Sequence, residues 1–161
     1  MNLKKIITEV NAEQLFQSIL KIQGIKHPIV NPKQLNKTAD YIKKELKKYG
    51  LKTGEQIFTV EGFDATFRNI EGIIGEDLEG PELLVTSHYD TVAVTPGAND
   101  NGTGIAGMLE TARVLAKAKI NQKVRFVSFT LEELNPARRK KMRDKEKELK
   151  LVNRNGYYKT W

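Results

Sequence analysis

The sequence predicts a mixed α/β fold, in which helices cover both faces of one β-sheet. Two segments near the amino terminus carry apolar residues at helical spacing, and four later segments are short apolar runs typical of strands. A further helical segment separates the last two of these strands. Such a strand–helix–strand unit indicates a right-handed crossover between parallel strands. The length of 161 residues fits one domain.

The predicted elements divide residues 1–161 into three parts of a single, incomplete domain. Residues 1–50 hold two amino-terminal helices, which end at Gly24 and Gly50. Residues 51–135 hold the sheet core, and residues 136–161 form a charged helical segment. The helices are expected at 12–23, 32–49 and 104–119, and the strands at 56–60, 66–74, 83–87 and 124–130. We expect the strand at 83–87 to be buried and the first two strands to form an antiparallel hairpin.

Composition excludes several classes of protein. The chain has no Cys, so disulfides and thiolate chemistry are excluded, and any metal must use nitrogen and oxygen ligands. Nothing approaches the ~18 consecutive apolar residues of a membrane span. A signal peptide is not expected either, because Thr8 and Glu9 interrupt the apolar run after Lys5. The compartment is unknown from the sequence, with the cytoplasm favoured.

Acidic residues and a histidine follow two of the predicted strands. His88 and Asp90 follow the strand at 83–87, and Glu132 and Glu133 follow the strand at 124–130. Asp100 lies between them in a loop rich in Gly and Asn. Each group alone is explained more simply, as a strand-end hydrogen bond, a solvated strand end or a turn residue. Together they indicate half of a metal site, because ligands bind at the carboxyl edge of an open α/β sheet.

Three motifs carry a resemblance to a known family. They are SHYDTV at 87–92, PGANDNGTG at 96–104 and FTLEE at 129–133. In order and spacing they resemble the zinc aminopeptidase family, which includes bacterial leucyl aminopeptidases, glutamate carboxypeptidases and, more distantly, glutaminyl cyclases. The similarity runs from about residue 35 to residue 133. It implies a zinc-exopeptidase-like fold, a peptide substrate and two Zn²⁺ ions per complete site.

The resemblance also implies a role for each site residue. His88 binds one zinc ion, Asp100 bridges the two ions, and Glu133 binds the other. Asp90 orients His88, and Glu132 is the general base. Two of these roles agree with simple chemistry: a carboxylate commonly fixes a ligand histidine through its second nitrogen, and a bridging carboxylate suits a two-metal site.

The chain departs from the family pattern after the Glu132–Glu133 pair. The family supplies a later Asp or Glu and a histidine near the end of the domain. Here the only histidines are His27, which we expect on a surface loop, and His88, and the only later Asp is Asp144 in the charged helix. We therefore expect the amino-terminal half of a metallopeptidase, an aminopeptidase by resemblance, that binds zinc poorly and is inactive alone. An oligomer or a missing carboxy-terminal segment would complete the site.

Three other functions compete with this hypothesis. Gly102, Gly104 and Gly107 fit the GxGxxG pattern of dinucleotide binding, but the preceding strand does not run into the first glycine, as that motif requires. Residues 137–150 carry eight Lys/Arg and three acids, a charge of +5 within a total of +7. Nucleic-acid binding is disfavoured because the acids alternate with these bases, as on a solvated helix. A non-catalytic α/β module is the third alternative.

Overall fold

The computed structural model describes residues 3–61 and 63–133. The helices are α1 (Leu3–Ile7), α2 (Ala12–Ile22), α3 (Pro32–Lys48) and α4 (Gly104–Ala118). The strands are β1 (Lys52–Thr59), β2 (Thr66–Ile74), β3 (Glu82–His88) and β4 (Lys123–Phe129). An irregular turn of π-helical type, Ala98–Thr103, lies directly before α4. None of the helices in the described ranges has the length and apolar character needed to cross a membrane.

The four strands form one mixed sheet in the order β1-β2-β4-β3. β1 and β2 form the expected antiparallel hairpin, and β2 also pairs antiparallel with β4. β3 runs parallel to β4, with Ser87 opposite Ser128 and His88 opposite Phe129. The mixed α/β fold class is therefore confirmed. Among the described residues the long helices α3 and α4 share one core against the sheet, so helices on its second face stay a prediction. Because α4 joins two parallel neighbours, both strands end at the same edge of the sheet.

The two long amino-terminal helices begin at the residues that their capping signals predict. The side chain of Asn11 accepts a hydrogen bond from the Gln14 backbone N–H, and that of Asn31 accepts one from Gln34. Pro32 occupies the first turn of α3, where its missing N–H is not needed. These caps satisfy amide groups that the helices themselves leave without a partner.

One apolar core joins the helices to the sheet. α3 packs against β1 and β2, α4 packs against β3, and the two helices contact each other. The inward faces of both helices are the ones that their apolar spacing predicts. The core includes Leu35, Ala39, Ile42 and Leu46 of α3, Ile105, Met108, Leu109 and Ala112 of α4, and Ile70, Val124 and Phe126 of the sheet.

The expectation that the third strand is buried was wrong. Leu83 and Leu84 are 56% and 59% exposed, because β3 is an edge strand of the described sheet and has β4 as its neighbour there. β1 also begins four residues before the expected 56, and the short helix α1 was not predicted. The charged helix expected after residue 136 lies outside the described residues, and the proposed domain boundaries stay a prediction.

Candidate metal centre

The parallel pairing of β3 and β4 positions the candidate site. His88 is the last residue of β3 and lies opposite Phe129, the last residue of β4. The Tyr89 N–H donates to the Phe129 carbonyl at 2.9 Å, which continues the pairing one residue beyond β3. Asp90 and the Glu132–Glu133 pair therefore leave the sheet side by side.

Three carboxylates surround the His88 imidazole. Its Nε2 lies 3.2 Å from Asp100 Oδ1 and 4.0 Å from Glu132 Oε2, and its Nδ1 lies 3.4 Å from Asp90 Oδ1. The interaction with Asp90 is the main cause that raises the pKa of His88 above its ordinary value. The Nδ1 contact is poorly aligned, so this buried nitrogen has no well-formed hydrogen bond among the described residues. His88 thus faces two acids with one nitrogen and a third with the other.

Asp90 holds the chain that carries the two glutamates. Its side chain is fully buried, and its two oxygens accept hydrogen bonds from the backbone N–H groups of Glu132 at 3.1 Å and Glu133 at 2.9 Å. Leu131, which precedes them, has a left-handed backbone with φ of 61°. Asp90 is therefore placed to orient His88 and also to fix the direction in which Glu132 and Glu133 leave β4.

The loop before α4 carries Asp100 toward His88. Its turn is closed by two hydrogen bonds, from Gly102 N–H to the Gly97 carbonyl and from Gly104 N–H to the Asn101 side chain. A Cβ at Gly104 would overlap the Asn101 side chain, so a larger residue there would displace the amide group that closes this turn. The Asp100 side chain is 70% exposed, which leaves its carboxylate open to solvent and to a ligand.

The Glu133 carboxylate lies close to other negative charges. Burial raises the pKa of Glu133, and the nearby charges of Asp100 and Glu132 raise it further. A cation between these carboxylates would offset both effects. Imidazole nitrogen and carboxylate oxygen are ligands that zinc accepts, so the donor chemistry fits this metal.

The arrangement is nevertheless not a finished metal site. Within residues 3–61 and 63–133, no group of three or more His, Cys, Asp or Glu side chains is arranged to hold an ion. The structure brings His88 together with Asp100, Glu132 and Asp90, and it places Glu133 within electrostatic reach of them. The ligand and base roles assigned to these residues stay predictions, and Asp144 lies outside the described residues.

The structure corrects one residue and adds others that the sequence did not suggest. His27 is 8% exposed rather than at the surface, and its Nδ1 accepts hydrogen bonds from the Ile29 and Val30 N–H groups, so it stabilises a turn. Asn69 of β2 accepts a hydrogen bond from the Thr130 N–H beside the site. Lys26 is buried next to the loop that leads to Asp100. No pattern in the sequence distinguishes such residues from ordinary polar loop residues.

The mixed α/β fold is that of zinc-exopeptidase-like proteins, and the acid-and-imidazole cluster lies where strands β3 and β4 end. Residues 69–146 match the family model described as Peptidase family M28. The resemblance to the zinc aminopeptidases, and its restriction to the amino-terminal part of their domain, is thereby confirmed. The chain is thus similar to metallopeptidases in sequence and in fold.

One relative in sequence is an aminopeptidase, and two solved structures share the fold. Aminopeptidase YwaD of Bacillus subtilis is 46% identical over 71 residues, which are 43% of this chain and 16% of YwaD. A glutaminyl cyclase from Porphyromonas gingivalis has the same fold, with a TM-score of 0.69 at 24% identity, covering 77% of this chain and 46% of the cyclase. A Zn-dependent exopeptidase from Parabacteroides distasonis matches with a TM-score of 0.65 at 22% identity, covering 76% of this chain and 47% of the exopeptidase. This chain therefore spans less than half of each relative.

Proposed function

We propose that this chain supplies one half of a two-zinc aminopeptidase site, which hydrolyses peptide bonds next to a free amino terminus. The contact that supports the proposal most directly is that of His88 Nε2 with Asp100 Oδ1 at 3.2 Å, since these residues are 12 positions apart in sequence and come from separate family motifs. By the family pattern a further Asp or Glu and a further His are still required. We propose that the chain alone therefore binds zinc weakly and has no peptidase activity.

The proposed roles follow the positions of the side chains. His88, Asp100 and Glu133 would hold the zinc ions, which when bound polarise the scissile carbonyl and activate water. The Glu132 side chain is about half exposed, so its carboxylate can accept a proton from water and pass it to the leaving amine. Asp90 keeps His88 and the two glutamates in place. The amino end of α4 adds a positive dipole that favours the clustered carboxylates.

Zinc titration by calorimetry tests the proposed ligands. We expect weak binding by the unaltered chain, and a loss of at least about tenfold in affinity in His88→Ala and in Asp100→Ala. Asp64→Ala is the matched control, because Asp64 is also an exposed acid but lies in the β1–β2 turn. Identical isotherms for all four proteins would contradict the proposed site.

A peptidase assay tests the proposed inactivity. With zinc and an aminoacyl p-nitroanilide, the purified 161-residue chain should release no product above the rate of the Glu132→Gln variant. Robust turnover that depends on Glu132 would show that the chain completes its site without further ligands.

A non-catalytic module is the second candidate function. It is favoured by the observation that no ready-made group of three metal ligands exists in the described part of the chain. In that case zinc would bind no better to the unaltered chain than to His88→Ala, and the cluster around His88 would serve stability alone. The same titration therefore separates the two candidates.

A further inference from the structure

Lys26 lies in the connection between α2 and α3, and its side chain is completely buried. Lysine is rarely found fully buried, because an ammonium group loses its hydration unless other groups replace it. The burial lowers the pKa of Lys26 to about 8, while the charge of Asp90 acts in the opposite direction. A loop lysine in this position therefore needs a specific explanation.

The contacts of Lys26 attach one loop to another. Its Nζ donates hydrogen bonds to the carbonyls of Gly24 at 3.0 Å and Pro96 at 3.1 Å. The Lys26 N–H donates to Thr91 Oγ1 at 2.8 Å, and the Gly24 N–H donates to the Pro96 carbonyl at 2.8 Å. Residues 24–26 thus hold both ends of the segment 91–96, which begins one residue after Asp90.

The attached segment leads directly into the turn that carries Asp100. Gly97 has a left-handed backbone with φ of 61°, and a Cβ there would lie 2.2 Å from Thr91 Cγ2, 2.7 Å from the Asp100 carbonyl and 3.0 Å from Lys26 Nζ. The Gly97 carbonyl also accepts the Gly102 N–H. The ammonium group, Thr91 and the Asp100 backbone therefore meet at a point where no further side chain fits.

We propose that Lys26 is a positioning residue. Its buried ammonium group fixes residues 91–97 and thereby determines the position of the Asp100 carboxylate relative to His88. The inference rests on the proposed function for its purpose, since a bridging ligand must be held precisely. The attachment itself, however, is a property of this chain without any metal, and it can be measured separately.

Chemical replacement of the ammonium group isolates its effect. The chain has no Cys, so Lys26→Cys introduces a single thiol. Alkylation in denaturant followed by refolding gives either S-aminoethylcysteine, which restores the ammonium group, or S-propylcysteine, which has nearly the same shape without charge or donors. Ile42→Val, a mild truncation in the α3 part of the core, controls for a general loss of stability.

The first measurement is amide hydrogen exchange of residues 97–104 by NMR, without metal. We expect these amides to exchange at least about tenfold faster in the S-propyl form, while the amides of β2 and β4 change no more than they do in Ile42→Val. The S-aminoethyl form should return to the rates of the unaltered chain. Equal rates in the two alkylated forms, or an increase spread evenly over the sheet, would overturn the proposal.

The second measurement is zinc affinity of the same proteins. We expect the S-propyl form to bind about 10–100-fold more weakly than the unaltered chain, and the S-aminoethyl form to recover. Equal affinities of the two alkylated forms in a chain that binds zinc would overturn the role of Lys26 at the metal centre. If no form binds zinc but the exchange rates differ as expected, the attachment by Lys26 is supported and the proposed function fails.

Discussion

Replacing Asp90 with asparagine should destabilise the whole fold as well as the candidate site. The Asp90 carboxylate is fully buried and accepts two backbone hydrogen bonds, from Glu132 at 3.1 Å and from Glu133 at 2.9 Å. An asparagine keeps one acceptor oxygen and places an NH₂ group opposite the other N–H. One charge-assisted bond is then lost, and the remaining one becomes a bond to a neutral group.

The size of the effect follows from these two bonds. Losing a hydrogen bond to a charged acceptor costs about 1.5–3 kcal/mol, and weakening the second costs about 1 kcal/mol more. We therefore expect the free energy of unfolding of Asp90→Asn to fall by about 2.5–4 kcal/mol, a large share of the roughly 5–15 kcal/mol that stabilises an ordinary domain. The effect should be concentrated at Leu131, Glu132 and Glu133, whose amides should lose exchange protection first.

Urea unfolding followed by circular dichroism measures the change. Asp100→Asn is the matched control, because it alters an exposed acid of the same cluster that forms no hydrogen bond to the backbone of β4, and it should change stability by less than about 0.5 kcal/mol. If Asp90→Asn unfolds within 0.5 kcal/mol of the control, at about the precision of the method, Asp90 does not hold the glutamate turn and the reasoning is refuted.

Two further predictions concern stability. Gly97→Ala should lower the free energy of unfolding by about 1–3 kcal/mol, because residue 97 has a φ of 61° and the new methyl group would overlap Thr91. Gly107→Ala should raise the free energy of unfolding by about 0.5–1 kcal/mol, because the space around its new methyl group is open. Opposite signs in thermal unfolding check this pair, and equal signs would contradict it. Glu110→Gln should lower the free energy of unfolding by about 1–2 kcal/mol, because the buried Glu110 carboxylate accepts a hydrogen bond from the Asn11 N–H at 2.6 Å and pairs with Arg113. An unchanged urea midpoint would contradict this role of Glu110.

The local order of elements was predictable because short-range rules control it. Asn31 followed by Pro32 marks the start of α3, and the change from helical to alternating spacing marks the first strands. The separation of the last two strands by a helix allowed their parallel pairing to be predicted, and with it the meeting of His88 and Glu132 at one edge. The precise strand ends, such as the early start of β1, depended on pairing with β2 across the hairpin.

The burial of individual residues was not predictable in the same way. Leu83 and Leu84 have the composition of a buried strand but are exposed, because their environment depends on which strands and helices lie beside β3. His27 and Lys26 have the composition of a surface loop but are buried, and the hydrogen bonds of Lys26 reach Thr91 and Pro96, more than 60 positions away in the sequence. The burial of a residue depends on contacts between segments that are distant in the sequence. The spacing of apolar residues predicts burial only where a helix or strand has one regular apolar face.

The sequence by itself determined the types and order of the elements, the three acid-and-histidine motifs and the resemblance to the zinc aminopeptidases. Those features are local, and they depend on spacing, turn chemistry and residue type. Only the tertiary structure decided that Asp90 binds the backbone of Glu132 and Glu133, and that Lys26 holds the segment leading to Asp100. These contacts join residues about 40 to 70 positions apart, and they form because packing brings buried polar groups to the partners that replace water.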